Sequence, residues 1–390
     1  MKKVYLDYAA TTPVDKRAVR AMIPYFAEKF GNTMSLHFFG QESKLALENS
    51  RQILADSINA DLNEIIFTSS ATESNNLALK GIAFGNKNKG NHIIISSIEH
   101  PCIVESAKWL KKQGFEITEL PVDKYGMVNP EDVEKAITEK TILVSIIHAS
   151  NEIGTVEPIE EIGKICKEKG VYFHTDASQS FGKIPIDVNK MNVDLLTASS
   201  HKIYGPKGAG LLYIRDGVKI EPLLHGGGQE NGLRSSTINL AAIVGFAKAA
   251  EICEKEMKKE TPRLTKLRDK LIRSLLKIEG CKLNGHPKKR LSNNVNVWFS
   301  FVEGESLVMQ LDLHGISCST GSACSSIKLE PSPVLLAIGL KPQEAHGSLR
   351  ISLGRQTTQK EINYLLKVLP KIIKKIRAIS PFKNNYEYKE

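Results

Sequence analysis

The chain has 390 residues, 41% of them hydrophobic and 25% charged, with a formal net charge of +10. That composition excludes a disordered or low-complexity protein, and the length suits one large domain joined to a smaller one. No apolar stretch is long enough for a signal peptide or a membrane span, so the expected compartment is the cytoplasm, and six cysteines without a C-x-x-C pair or a histidine at zinc spacing argue against a disulfide framework or structural metal.

Val4 to Pro13 reads as an extended opening segment. Helical patterns follow over Ala18–Phe30 and Ser43–Ile58, separated by a polar turn from Gly31 to His37. Glu64 to Ser69 reads as a strand, and the run from there to Gly81 opens a helix. A helix N-terminus offers unpaired N–H groups and a positive dipole end, so the small Ala71 and the hydroxyl of Thr72 suit a phosphate. They suit a plain Ser/Thr cap equally well. Asn91 to Ile98 is a strand broken at Glu99-His100-Pro101, where an imidazole can stack on a flat ring or move protons. Further strands are expected at Phe115–Leu120, Thr141–His148 and Val171–Thr175. The helices between them include Pro158–Lys169, stopped at Gly170. This alternation predicts a mostly parallel sheet with right-handed crossovers.

Residues 171–210 carry the strongest chemical signal. Asp176 ends one strand, with Gln179 three residues on, and the apolar run from Val193 breaks at Ser199-Ser-His201-Lys202 before two glycines. Open α/β sheets bind ligands at the carboxyl ends of their strands. A lysine delivered there can attack a carbonyl once desolvation or a nearby positive charge lowers its pKa. An aspartate at a successive strand end can hold a pyridinium proton, and the two together are what a pyridoxal 5'-phosphate site requires. Taken singly, Asp176 reads equally well as a helix cap and Lys202 as a surface lysine.

Beyond Lys202, a strand closes at Ile214. A glycine-rich loop from Leu224 to Thr237 then brings Arg234 and Thr237, both able to meet a phosphate. A basic helix reaches Ile278, followed by a strand at Val295–Phe301 and a helix at Glu305–Leu313. The small-residue loop holding Cys318 and Cys324 comes next, then an apolar helix at Pro333–Gly339, a strand at 347–353 and a final amphipathic helix. A domain boundary is expected near Glu254–Thr261. The basic residues of Lys255–Lys277 and Lys360–Arg377 alternate with Leu and Ile as solvated faces do, which suits an acidic protein partner better than direct nucleic-acid binding.

Several runs together resemble the cysteine desulfurases: Tyr5-Leu-Asp-Tyr-Ala-Ala-Thr-Thr, Glu64 to Gly81, Glu99-His100, His148-Ala-Ser-Asn-Glu-Ile-Gly, His174-Thr-Asp-Ala-Ser-Gln, Ser200-His-Lys-Ile-Tyr-Gly-Pro-Lys-Gly, Gly226-Gly-Gly-Gln-Glu and Gly321-Ser-Ala-Cys. The likeness covers nearly the whole chain. It implies the fold type I architecture of pyridoxal phosphate transferases, with a mostly parallel seven-stranded sheet in a large domain over 14–257. The smaller α+β domain would comprise 1–13 and 258–390.

The resemblance also implies roles. Lys202 would hold the cofactor as a Schiff base, Asp176 would keep its pyridine nitrogen protonated, and Gln179 would bond its phenolic oxygen. His100 would stack on the ring and assist proton transfer, with Asn151 beside it near cofactor and substrate. Ala71, Thr72, Ser199 and His201 would bind the phosphate, joined by Thr237 from the other subunit of a homodimer. Arg350 would grip the substrate carboxylate. Cys324 would be the nucleophile that takes sulfur from L-cysteine as a persulfide, leaving alanine, and would also be a transient iron-sulfur ligand. The long loop from Ser325 to Pro333 resembles the group of the family that serves iron-sulfur scaffold proteins and tRNA-thiolating enzymes, so an acceptor protein is implied and no metal is bound by the remaining residues. Selenocysteine lyase, or another β-eliminating enzyme, is the alternative activity, and an inactive partner-binding platform the non-enzymatic one. Thr33, Met34, Tyr8, Ser70, Ser150 and Ser236 depart from the family pattern. Ser70 and Ser236 would weaken cofactor binding if their backbones need positive φ.

Overall fold

The computed structural model of the chain describes residues 3–321 and 330–380. A short strand, β1 (Val4–Tyr5), leads to helices α1 (Lys16–Met22) and α2 (Pro24–Ala27). The single helix expected over Ala18–Phe30 is divided because Pro24 has no N–H to continue the ladder and opens a new first turn. Helix α3 (Phe38–Asp56) begins five residues earlier than Ser43, since His37 caps it by accepting the Gly40 N–H at Nδ1.

The central region alternates as the sequence predicts: β2 (Ile65–Thr68), α4 (Ala71–Gly85), β3 (His92–Ser96), α5 (Pro101–Lys112), β4 (Glu116–Leu120), α6 (Pro130–Ala136), β5 (Thr141–Ser145), α7 (Ile159–Lys169), β6 (Tyr172–Asp176), β7 (Leu195–Ser199) and β8 (Gly210–Ile214). Helix α7 stops where Gly170 takes φ of 68°, a left-handed conformation that glycine adopts without a Cβ clash. The strands form one seven-stranded sheet in the order β2-β8-β7-β6-β5-β3-β4. Only β8 runs against its neighbours; the rest pair in parallel. Alternate side chains feed two cores, as a two-residue period requires. Phe67, Ile94, Val144 and Phe173 face α3, α6 and α7, whereas Ile66, Ile93, Ile95 and Leu143 face α4 and α5.

Helix α8 (Leu240–Leu275) links this three-layered body to a smaller one. Phe246 and Cys253 lie in the core of the large sheet, and Leu264 to Leu275 in a second core. The charged stretch from Glu254 to Thr261 lies inside α8, followed at once by Pro262. The smaller body contains β9 (Cys281–Asn284), β10 (Asn294–Phe299), α9 (Gly304–Asp312), β11 (Ile316–Ser317), α10 (Pro333–Ala337), α11 (Pro342–His346), β12 (Ser348–Ser352) and α12 (Gln359–Ile379). Strands β12, β10 and β9 make an antiparallel sheet, and β11 pairs with β1, so the chain's first strand belongs to this second body. Among the described residues no helix is long and apolar enough to cross a membrane.

Candidate active site

A cleft of about 240 Å3 opens at the carboxyl ends of the central strands. The end of β7 and the turn Ser200–Lys202 deliver Lys202 into it. Lys202 Nζ donates to the carbonyls of Ala9 and Ala10, at 2.7 and 2.8 Å. These two residues belong to the opening segment, which the Thr12 N–H to His201 carbonyl bond (3.1 Å) and the Tyr204 N–H to Thr12 Oγ1 bond (2.8 Å) pin along the lysine turn. Ala9 and Ala10 are thereby part of the site wall.

The next strand end, that of β6, places Asp176 in the cleft. Its Oδ2 accepts the Asn75 Nδ2 hydrogen at 2.7 Å, and its Oδ1 accepts from the Ser178 N–H at 2.9 Å and from the Ser178 hydroxyl. Gln179 donates from Nε2 to the Ala9 carbonyl, while its Oε1 accepts from the partly buried Lys183 at 3.3 Å. Burial holds Lys183 down at about 7, with the Lys202 charge acting in the same direction. His100 caps α5, its Nδ1 accepting the Cys102 N–H at 3.3 Å. Burial lowers its pKa, partly countered by Asp176. Deeper in, burial raises Glu99 to about 8 and lowers His148 to about 4, so near neutrality His148 is uncharged.

At one end of the cleft, Ala71 and Thr72 open α4, and Ser199 and His201 line the wall. Ser70 caps α4 by accepting the Glu73 N–H at 3.2 Å. Its φ is −171°, extended backbone that any residue adopts, and Ser236 is not among the residues with positive φ, so neither departure from the family pattern strains the chain. Arg234, one of the two residues expected to meet a phosphate from the glycine-rich loop, is instead paired with Glu73 at 2.7 Å and absent from the cleft lining. That loop is anchored at Glu230, which the Arg51 guanidinium grips through two bonds of 2.8 Å. Thr237 is exposed and outside the cleft.

Opposite, Arg350 projects from the middle of β12. Its Nη1 donates to the Asn151 carbonyl at 3.1 Å and its Nη2 pairs with Asp7 Oδ1 at 3.0 Å; its Nε is buried without a partner among the described residues. Cys324 lies outside the described residues.

The donor set fits pyridoxal 5'-phosphate. Among the described residues Ser199 Oγ is buried with no hydrogen-bond partner beside the N-terminus of α4, where a phosphate oxygen would satisfy both the hydroxyl and the helix N–H groups. A lysine, a carboxylate and a histidine share the same cleft.

Of the site residues named from the sequence, the cleft gathers Lys202, Asp176, Gln179, His100, Asn151, Ala71, Thr72, Ser199, His201 and Arg350. Asn75, Cys102, Ser178 and Asp7 were not singled out as site residues. Asn75 did carry a signal, as a polar residue that, with Ser74, joins Leu77, Ala78, Leu79 and Ile82 among the buried positions of α4. The others sit in positions where local pattern says nothing of their partners.

The profile of the aminotransferase class-V family matches residues 4–365. The chain is 54% identical to the cysteine desulfurase IscS of Dictyoglomus turgidum, over 99% of this chain and 98% of the relative. It is 55% identical to that of Methanosarcina thermophila, over 97% and 94%. Among solved structures, a NifS-like protein superposes with a TM-score of 0.90 at 40% identity, covering 96% of this chain and all of the other. The structure described as SspA in complex with cysteine does so with a TM-score of 0.80 at 39% identity, over 90% and 99%.

Proposed function

The chain belongs to the class-V aminotransferases and, within them, to the cysteine desulfurases, and from that membership we propose how its residues divide the work. The substrate is L-cysteine, the products L-alanine and a persulfide. Pyridoxal 5'-phosphate, when bound, supplies a ring that draws electrons from the substrate's Cα. Lys202 would carry it, Asp176 would hold the pyridine nitrogen protonated with Asn75 and Ser178 fixing the carboxylate, and Gln179 would bond the phenolic oxygen. Ser199, Ala71, Thr72 and His201 would hold the phosphate. Arg350 orients the substrate carboxylate, and His100, kept neutral by burial, moves a proton.

Cys324 is the nucleophile in this reading. Its thiolate attacks the substrate sulfur, the substrate's carbon–sulfur bond breaks, and the three-carbon remainder takes up protons to become alanine. In sum, L-cysteine and one thiol give L-alanine and one persulfide. The sulfur then passes to an acceptor protein, an iron-sulfur scaffold or a tRNA-thiolating enzyme. A homodimer belongs to the same proposal: Phe30, Leu36 and Phe38 are large apolar side chains left 64%, 91% and 74% accessible, and the exposed Thr237 is absent from the lining of its own cleft. So do the cytoplasmic location and the division into 14–257 and the remainder.

The observation that carries the reading is Lys202, Asp176 and Arg350 lining one cleft although they come from the turn after β7, the end of β6 and the middle of β12. The test is alanine released from L-cysteine with a reductant present, by the wild type and by Cys324→Ala. Alanine from the wild type alone, with the variant still holding cofactor, supports it. Equal activity in both overturns the role of Cys324 and favours a β-elimination.

A further inference from the structure

Cys102 sits at the second residue of α5, lines the cleft, and has no part in the scheme above. Its sulfur lies 3.0 Å from His100 Nδ1 and 3.1 Å from Asn75 Nδ2. Who donates to whom is decided by groups that have no choice. The Asp176 carboxylate only accepts, so the atom 2.7 Å from its Oδ2 is the Asn75 amide nitrogen; the second hydrogen on that nitrogen then falls on Cys102 Sγ. The backbone N–H of Cys102 only donates, and it points at His100 Nδ1. An Nδ1 that receives this N–H carries no proton of its own, so the contact between it and the sulfur is closed by the thiol hydrogen, which shares the single Nδ1 lone pair with the backbone N–H.

We propose that Cys102 is a positioning residue that holds His100 in the tautomer protonated at Nε2. It is the third link of a chain running from Asp176 through Asn75 and Cys102 to His100. This rests on the reading of His100 as the proton-moving residue of the site. The thiol is suited to the task because burial pushes it up to about 12, with the Asp176 charge acting the same way, so it remains a donor throughout the working range. The charged groups that face the His100 ring are Asp176 from β6 and Lys202 from the turn after β7; Arg350 lines the same cleft. A donor at Nδ1 stabilises the neutral ring and opposes a second proton there, so the ring delivers its proton from Nε2 alone.

The test uses the holoenzyme labelled with 15N-histidine, in which long-range 1H–15N spectra separate protonated from bare ring nitrogens; His100→Gln assigns the signal. The wild type is expected to show Nδ1 bare and Nε2 protonated. In Cys102→Ala the His100 pKa should rise by about half a unit, the equivalent of one weak hydrogen bond. The acid limb of kcat/KM should move with it. Cys102→Ser keeps a donor and should restore both. An Nδ1-protonated ring in the wild type overturns the proposal, even if Cys102→Ala does not fold. So does a Cys102→Ala protein whose ring signals and acid limb match the wild type. A wild type that releases no alanine from L-cysteine would defeat the functional reading instead, and would leave the ring spectra to decide the tautomer by themselves.

Discussion

Replacing Arg350 by lysine keeps a positive charge and removes a two-pronged donor. Arg350 is almost wholly buried at the centre of β12, opposite Asn296 of β10, with Nη1 on the Asn151 carbonyl and Nη2 on Asp7. A guanidinium meets a carboxylate through two parallel charge-assisted bonds, each worth about 1.5–3 kcal/mol, and lysine can supply only one. Losing the other corresponds to a fall of about 10- to 150-fold in kcat/KM for L-cysteine. Most of that fall should appear in KM, because the carboxylate is gripped before and during the reaction. Asp7→Asn serves as the control. It weakens the ion pair but leaves the guanidinium, so its kcat/KM should fall by less than about fivefold, equivalent to about 1 kcal/mol. Steady-state alanine production at several cysteine concentrations gives both constants, and absorbance of bound cofactor confirms that the site is loaded. The reasoning fails if Arg350→Lys leaves KM within threefold of the wild type while Asp7→Asn matches it. Arg350 would then be pinning β12 to the opening segment.

Borohydride reduction of the holoenzyme should attach the cofactor to the peptide containing Lys202 and to no other, and Lys202→Ala should give no labelled peptide. Ser199→Ala should weaken cofactor binding by about 10- to 150-fold, the loss of about 1.5–3 kcal/mol from one hydrogen bond to a charged oxygen; unchanged affinity would remove Ser199 from the phosphate site. Glu99 has its pKa raised from 4.5 to about 8 by burial. The folded state therefore binds more protons than the unfolded one across that window, and the contribution of Glu99 to stability weakens as pH rises through it. Glu99→Gln should remove this slope, so urea midpoints of the wild type and the variant should diverge from about pH 5 to about pH 8; parallel curves would refute it.

Local chemistry made much of the large sheet legible. The expected strands differ from the observed ones by only a few residues at their ends, because bounding glycines, prolines and polar residues stop them where the chain must turn. Helix limits were less legible. The end of α1 depended on whether Pro24 would break the pattern or be absorbed, and the start of α3 on a histidine cap, which is an uncommon N-cap choice. Strand β9 and helix α11, five residues or fewer, offer too little periodicity to be seen at all. For the site, strand-end positions pointed to Asp176 and Lys202, and the family likeness supplied the rest.

By itself, then, the sequence determined the alternation of strand and helix, the parallel sheet, and the kinds of group gathered at its carboxyl edge, since each follows from residues close together in the chain. Tertiary structure alone decided the partners. Asp7 and Arg350 are 343 residues apart, Lys202 and Ala9 are 193 apart, and Asn75 reaches Asp176 across 101. Such pairs leave no local trace, because a hydrogen bond depends on where folding brings two atoms in space, and the residues between them record only their own turns and strands.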